Sequence, residues 1–311
     1  MSVSLIVLAA GQGTRMSSDL PKVMHEIGGA PLFAHALASG RALELDRTVL
    51  VAGHGFEAVE KAAEALDEEI VVAHQTEQLG TAHAVAQAAE ALAGVAGDAV
   101  VLYGDTPFIR PETLEAMAAA RAEGADVVVL GFEAADPGRY GRLVVEDGAL
   151  TRIVEYKDAT EAERAIRLCN SGVVMAEAAR LFDLVAAVGN DNAAGEYYLT
   201  DIVEIANARG LRAVAVACDE AETLGINTRA ELAAADALFQ ARARDEALEN
   251  GVTLIAPDTV YFAQGTIIGR DAVIEPNVVF GPGVTVETGA RIRAFSHLEG
   301  CHVSRDAVVG P

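Results

Sequence analysis

The chain has 311 residues, enough for one large domain or two, and half of it is apolar with 22% charged, as in a water-soluble globular protein. No run approaches the roughly 18 apolar residues of a membrane span, so no membrane partner is expected. A net charge of −23 argues against nucleic-acid binding, which needs a basic footprint. The N-terminus carries no basic region, and its six-residue apolar run Leu5–Ala10 reads as a first strand rather than a signal peptide. Cys169, Cys218 and Cys301 have neither paired nor metal-like spacing, which predicts reduced thiols in a cytoplasmic protein.

Short valine-rich runs follow one another along the first half of the chain: Leu5–Ala10, Thr48–Ala52, Ile70–Ala73, Ala99–Leu102 and Val127–Phe132. They read as buried strands. Between them, Leu32/Phe33 with Ala36/Leu37, Val85 with Ala88/Ala89 and Leu92, and Leu114 with Met117/Ala118 and Arg121 keep helical spacing, with Pro111 as a first helical residue. The alternation predicts a mainly parallel sheet with helices on both faces, and ligands beyond the carboxyl ends of its strands. From Gly141 to about Ala217 the pattern turns irregular. Leu143–Val145 and Leu150–Val154 flank Glu146-Asp147-Gly148, a hairpin turn, and Val173–Met175 and Val214–Ala217 read as further strands. This part is expected to be a mixed-sheet extension covering the nucleotide half. An alanine-rich helix then runs from Glu231 to about Leu248 and stops at Asn250-Gly251.

Beyond it an apolar residue recurs every six positions, at Ile268, Ile274, Phe280, Val286, Ile292 and Leu298. A compact residue follows four positions after each: Ala272, Val278, Val284, Ala290, Ser296, then His302. The period is that of a parallel β-helix built from hexapeptides, whose recurring apolar residue points inward. Its phase slips by one residue at the end, to Val303 and Val309. The coil reads as the start of a longer one, its last turn either truncated or covered by a partner chain.

The stretch that carries chemistry is Leu8-Ala-Ala-Gly-Gln-Gly-Thr-Arg-Met16, continued to Leu20-Pro-Lys22. A strand delivers two glycines and two cations, which suits phosphate: backbone N–H groups come close and the cations neutralise charge. It is neither a Walker A loop, lacking Gly-Lys-Ser/Thr, nor a dinucleotide fingerprint, lacking the third glycine. In so acidic a chain a polyphosphate site has to be locally positive, and Arg15, Lys22 and a divalent metal are the means. Asp105, at the end of a strand in Tyr103-Gly-Asp105, could hold such a metal or cap a helix, since Thr106 and Pro107 follow. Asn227, by its position before Thr228, reads as a helix cap. His25, His35, His54, His74 and His83 lack ligand spacing and are read as neither metal nor acid–base residues.

With Gln75-Thr-Glu-Gln-Leu-Gly-Thr-Ala-His83, Gly141-Arg142, Glu155-Tyr-Lys-Asp158, Asn170-Ser-Gly172, Gly195-Glu-Tyr-Tyr-Leu-Thr-Asp201 and Gly225-Ile-Asn227, these motifs resemble one family throughout the chain. It is the bacterial bifunctional N-acetylglucosamine-1-phosphate uridyltransferase/glucosamine-1-phosphate acetyltransferase family. The resemblance implies an α/β fold: a Rossmann-like nucleotide-diphospho-sugar transferase domain over residues 1–229, a linker helix over 230–250, and over 251–311 the start of a left-handed parallel β-helix. It implies transfer of UMP from UTP to N-acetylglucosamine-1-phosphate, with Mg²⁺ as cofactor and pyrophosphate as leaving group, feeding peptidoglycan and lipopolysaccharide synthesis. The implied roles are Arg15 and Lys22 as catalytic cations; Leu8, Ala9, Ala10, Gly11, Gly13, Gln75, Gly80 and Thr81 around the nucleotide; Tyr103, Gly104, Gly141, Glu155 and Asn170 around the sugar; and Asp105 with Asn227 at the metal. Thr200 and Asp201 are expected to be structural or to support the residues that touch the ligand. Position 12 is glutamine where many relatives have lysine. The full-length family is a homotrimer that also uses acetyl-CoA, and its matching acetyl-transfer positions lie beyond residue 311. Two rivals are a glucose-1-phosphate adenylyl- or thymidylyltransferase and a non-catalytic scaffold subunit; the latter is expected to lose Arg15, Lys22 or Asp105, and all three are present.

Overall fold

The structure is a computed structural model that describes residues 2–311, and the chain divides into two compact units. One runs to Met24 and resumes over Leu32–Gly225; the other joins His25–Pro31 to Ile226–Pro311.

The first unit is built on nine strands: β1 (Val3–Ala9), β2 (Leu45–Ala52), β3 (Val71–His74), β4 (Asp98–Tyr103), β5 (Val127–Glu133), β6 (Arg142–Glu146), β7 (Ala149–Val154), β8 (Leu168–Glu177) and β9 (Ala213–Cys218). Seven of them form one sheet in the order β9-β5-β8-β4-β1-β2-β3, and β6 attaches to β8 and to β7. Helices α1 (Leu32–Gly40), α2 (Phe56–Leu66), α3 (Thr81–Ala86), α4 (Pro111–Ala122), α5 (Glu161–Arg164), α6 (Ala178–Val185) and α7 (Ile202–Ala208) complete it. Alternation along β1 explains the layering. Ile6 and Leu8 point into a core shared with Val85, Leu181, Leu184, Ile202 and Val203 of α3, α6 and α7. Leu5, Val7 and Ala9 point into the opposite core with Phe33, Leu37, Val59, Leu114 and Met117 of α1, α2 and α4.

The irregular stretch after Gly141 does more than cover the parallel half. Its strand β8 enters the main sheet between β4 and β5, antiparallel to both. An antiparallel strand begins where its parallel neighbours end. The register Val174↔Val101 and Asn170↔Gly131 therefore places Asn170–Gly172 at the carboxyl ends of β4 and β5. The predicted hairpin joins β6 to β7, and Asp147 and Gly148 take the positive φ values of 50° and 80° that a two-residue turn needs.

The second unit begins with α8 (Arg229–Glu249), capped by Thr228 in a reciprocal box with Glu231. The hairpin 25–31 belongs here: Gly28 N–H donates to Asp236 Oδ1 (2.9 Å), and Gln264 N–H donates to the Gly28 carbonyl (2.7 Å). A side chain at Gly28 would collide with the Phe239 ring, with a Cβ only 2.3 Å from it. The division into units falls between Gly225 and Ile226, with one excursion, 25–31, that no local pattern announces. The hexapeptides form three faces of a parallel coil, with Ile274↔Ile292↔Val309, Val286↔Val303 and Phe280↔Leu298 stacked in register. Ile274, Phe280, Val286, Ile292 and Leu298 are buried as predicted, and after the slip Val303 stacks on Val286 in the place the period gives to Ser304. His302, expected as a compact residue of the coil, is exposed instead, because the slip sets it beside the outward Thr285. Each corner carries one left-handed residue, at Gly265, Asp271, Asn277, Gly283, Gly289, Phe295, Gly300 and Asp306.

Candidate active site

Four adjacent parallel strands deliver the site. The pairs Leu8↔Tyr103, Ala9↔Ala52 and Ala52↔His74 align the carboxyl ends of β4, β1, β2 and β3. The Gly11 loop, Gln75 and the Tyr103–Asp105 segment leave the sheet at that edge. There they line a cavity of about 300 Å³ with Leu8, Ala9, Ala10, Lys22, Val23, Gln78, Gly80, Thr81, Ala84 and Glu196.

The two loop glycines do different jobs. Gly13 has φ 62°, and a Cβ there would lie 2.4 Å from Lys22 Cβ, so the position admits only glycine beside this lysine. Gly11 has no such constraint: nothing lies within 4 Å of a Cβ built on it. Its freedom serves the cavity rather than the fold. Gln78 Nε2 donates to the Ala10 carbonyl (2.8 Å) and ties the loop to the 75–81 segment. Lys22 Nζ forms an ion pair with Asp105 Oδ2, so a cation and a carboxylate meet on the cavity wall. Asp105 caps no helix: the next one is α4, which starts at Pro111 as expected. Arg15 and Gln12 are exposed and stand outside the cavity lining.

Gly80, Thr81 and the 195–201 segment are laced together. Tyr197 N–H donates to the Leu79 carbonyl (2.8 Å), and Ala82 N–H donates to the Tyr197 carbonyl (2.9 Å). A Cβ on Gly80 would sit 2.5 Å from that carbonyl oxygen, so Gly80 is required by the backbone crossing as well as by any ligand. Thr81 Oγ1 accepts from Leu199 N–H (2.9 Å), and Thr81 lines the cavity beside Tyr103.

Tyr103, Thr81 and Glu196 also line a second cavity of about 570 Å³, together with Arg139, Glu155, Tyr156, Lys157, Asn170, Tyr198 and Thr200. Three of the predicted sugar residues are therefore brought together here. Gly141 lies beneath them: its carbonyl accepts from Asn170 N–H (2.9 Å), and a Cβ on it would be 3.3 Å from Glu155 Oε1. Gly104 is not at this cavity. It is buried, its N–H donates to the Leu8 carbonyl (2.9 Å), and its lack of a side chain serves packing against Phe33 and Val23. Burial raises the Glu155 carboxyl above its usual range, with Asp158 and Asp201 adding to the rise and the Thr200 hydroxyl opposing it. Thr200 donates to Glu155 Oε1 at 3.4 Å, supporting that carboxylate, and also lines the cavity. Burial, then Asp105 and Glu155, raise the Tyr103 phenol, which stays a donor at neutral pH.

Arg142 is fully buried, and its guanidinium serves the carbonyls of Gly138, Tyr140 and Arg164, so it holds the Arg139 loop rather than a ligand. Asn227 belongs to the second unit, where its N–H donates to Glu231 Oε2 (2.7 Å) and Thr228, not Asn227, caps α8. Gln78, Glu196, Arg139, Lys157 and Tyr198 escaped sequence reasoning. Gln78, Lys157, Glu196 and Tyr198 sat inside the quoted motifs, whereas Arg139 had no spacing signal. Among the described residues no group of three His, Cys, Asp or Glu could hold a metal, and no helix is long and apolar enough to cross a membrane.

A MobA-like NTP transferase domain matches residues 5–171, and six bacterial transferase hexapeptides match residues 265–300. The chain is 66% identical over 311 residues to bifunctional protein GlmU of Roseobacter denitrificans, covering 100% of this chain and 69% of that protein. It is 69% identical over 306 residues to GlmU of Cereibacter sphaeroides, covering 98% of this chain and 67% of that protein. This chain belongs to the GlmU family. It is a nucleotidyltransferase of the UDP-N-acetylglucosamine diphosphorylase type, and neither rival reading is favoured. A UDP-glucose pyrophosphorylase complexed with UDP-glucose superposes with a TM-score of 0.62 at 19% identity, over 78% of this chain and 100% of that one. An inositol-1-phosphate CTP transferase from T. maritima does so with a TM-score of 0.58 at 18% identity, over 73% and 90%. These two share the fold.

Proposed function

We propose that the first unit transfers UMP from UTP to N-acetylglucosamine-1-phosphate, releasing pyrophosphate. The observation that carries the reading is the pair of cavities sharing Tyr103 and Thr81: one holds the Gly11 loop, Lys22, Asp105 and Gln75, the other Glu155 and Asn170. UTP lies in the first with its phosphates at the Gly11 loop and its base at Gln75 and Gly80. The sugar phosphate lies in the second, its hydroxyls toward Glu155 and Asn170. An oxygen of the sugar phosphate attacks the α-phosphorus. The bond from that phosphorus to the bridging oxygen breaks, and pyrophosphate leaves with the electron pair. The attacking phosphate is already largely ionised, its second pKa being about 6, so no protein base is required. Positioning and charge neutralisation carry the rate.

Lys22 turns from Asp105 to the phosphates as UTP binds, exchanging one charge-assisted bond for another. Arg15, on the exposed turn after Gly13, approaches the same phosphates from solvent. Asp105 suits Mg²⁺, which takes one or two carboxylates and leaves its other positions to phosphate and water; the resemblance adds Asn227. When bound there the ion supplies neutralisation of phosphate charge. Homotrimer formation through the coil and a cytoplasmic location also rest on the resemblance, and acetyl transfer is assigned to no residue of this chain.

The test is pyrophosphate release with UTP, sugar phosphate and Mg²⁺. Lys22→Ala and Asp105→Ala are each expected to lose at least about a hundredfold in turnover with an unchanged thermal transition. A near wild-type rate in either variant refutes the assignment.

A further inference from the structure

Gln75 is buried, 4% exposed, and its amide nitrogen is fully engaged inside the protein. Nε2 donates to the Gly80 carbonyl (3.2 Å) and lies 3.0 Å from Nδ1 of His83. On the far side of the imidazole, Gln87 Nε2 donates to the His83 carbonyl (2.9 Å) and lies 3.3 Å from His83 Nε2. Two backbone carbonyls thus orient both amides with their nitrogens toward one ring. Reversing the Gln75 amide would set two oxygens 3.2 Å apart, at the Gly80 carbonyl. A neutral imidazole has a single lone-pair nitrogen and cannot accept from both. The shorter contact, to the more buried amide, takes it: Nδ1 accepts from Gln75, and Nε2 carries the proton.

We propose that His83 is a specificity-determining positioning residue. By accepting through Nδ1 it joins the Gly80 carbonyl in locking the Gln75 amide, one acceptor for each amide proton, so that only Oε1, an acceptor, faces the nucleotide cavity. A pyrimidine with a proton on N3, as in uracil, donates to that oxygen. Cytosine presents a bare N3 lone pair and meets acceptor with acceptor. A buried amide free to turn would serve either base, because its two ends differ only in donor and acceptor. His83 itself touches no substrate, lines no part of the nucleotide cavity and acts through Gln75. The inference rests on the assignment of the base to Gln75.

The experiment compares kcat/KM for UTP, CTP and 5-methyl-UTP in the wild type and in His83→Phe, His83→Asn and His83→Gln. Asn can place an acceptor where Nδ1 stands, whereas Gln reaches the Nε2 position. His83→Phe is expected to lower the UTP:CTP ratio by about tenfold or more, the worth of one buried hydrogen bond made or mismatched. The UTP:5-methyl-UTP ratio should stay put, since both bases carry the N3 proton. His83→Asn should keep the UTP:CTP ratio within about threefold of wild type, and His83→Gln should not. An unchanged UTP:CTP ratio in His83→Phe overturns the proposal while leaving the base assignment intact. So does equal rescue by Gln and Asn, which decides the matter if His83→Phe fails to fold. A wild type indifferent between UTP and CTP overturns the base assignment itself and this inference with it.

Discussion

Alanine at Gly11 and alanine at Gly13 should fail in opposite ways. At Gly13 the backbone is left-handed, φ 62°, and the new methyl would lie 2.4 Å from Lys22 Cβ. The conformation alone costs an L-residue about 1–2 kcal/mol, and the overlap with Lys22 adds to it because the obstacle is the base of the side chain rather than its flexible end. Gly13→Ala should therefore lower the melting temperature by roughly 3–6 °C and also displace Lys22. At Gly11, φ is not positive and nothing lies within 4 Å of the added methyl. Gly11→Ala should melt within about 1 °C of wild type. The methyl nevertheless projects where a phosphate must approach the backbone, so turnover should fall at least about tenfold with KM for UTP rising. Differential scanning calorimetry and pyrophosphate release on the two variants read both axes. A Gly11→Ala enzyme as active as wild type, or one as destabilised as Gly13→Ala, would refute the division of labour.

Glu155→Gln should raise KM for the sugar phosphate and, at neutral pH, stabilise the fold. A carboxyl whose pKa is raised by folding holds its proton more tightly in the native state, so its unfavourable contribution grows as pH climbs above the ordinary glutamate range; the variant's melting temperature should lose that part of its pH dependence. Gly172→Ala puts a methyl 2.6 Å from the Tyr103 ring at φ 90°, so it should push that ring into both cavities and raise KM for both substrates in steady-state assays. Phe295 holds φ 61° at a coil corner while its side chain is 76% exposed, so Phe295→Asn should gain about 1 kcal/mol in chemical denaturation of the second unit.

Local chemistry was legible wherever one segment decides its own conformation. Asp147-Gly148 is a turn because of its own φ preferences. Position alone puts the cap of α8 one residue early, at Asn227, whereas Thr228 makes it with Glu231. The six-residue period declared the coil and the slip that buries Val303, but not the exposure of His302. What stayed hidden depends on long-range register. Val173–Met175 was recognisable as strand, but nothing in it says that β8 enters the main sheet antiparallel between β4 and β5. The attachment of hairpin 25–31 to α8 rests on Gly28 meeting Asp236 and Phe239, two hundred positions away. His83 was set aside because it lacks ligand spacing, and its partner Gln75 lies on the other side of a loop.

That antiparallel insertion is what gives the parallel fold two adjoining cavities in place of one. In a wholly parallel sheet, the neighbour of β4 would begin at the far edge and leave Tyr103 facing only the phosphate loop. Because β8 runs the other way, its first residues stand beside Tyr103, and the irregular pairing between Asn170 and Val174 opens the space that Gly172 leaves to the ring. The 195–201 segment then closes the opposite wall by pairing with Leu79–Ala82 and fixing Thr81, which lines both cavities with Tyr103. Tyr103 thus stands between β8 on one side and Thr81 of α3 on the other, and both cavities inherit their common wall from the pair. A change that loosens either support should affect both substrates together, whereas a change at Gln75 or at Glu155 should affect one.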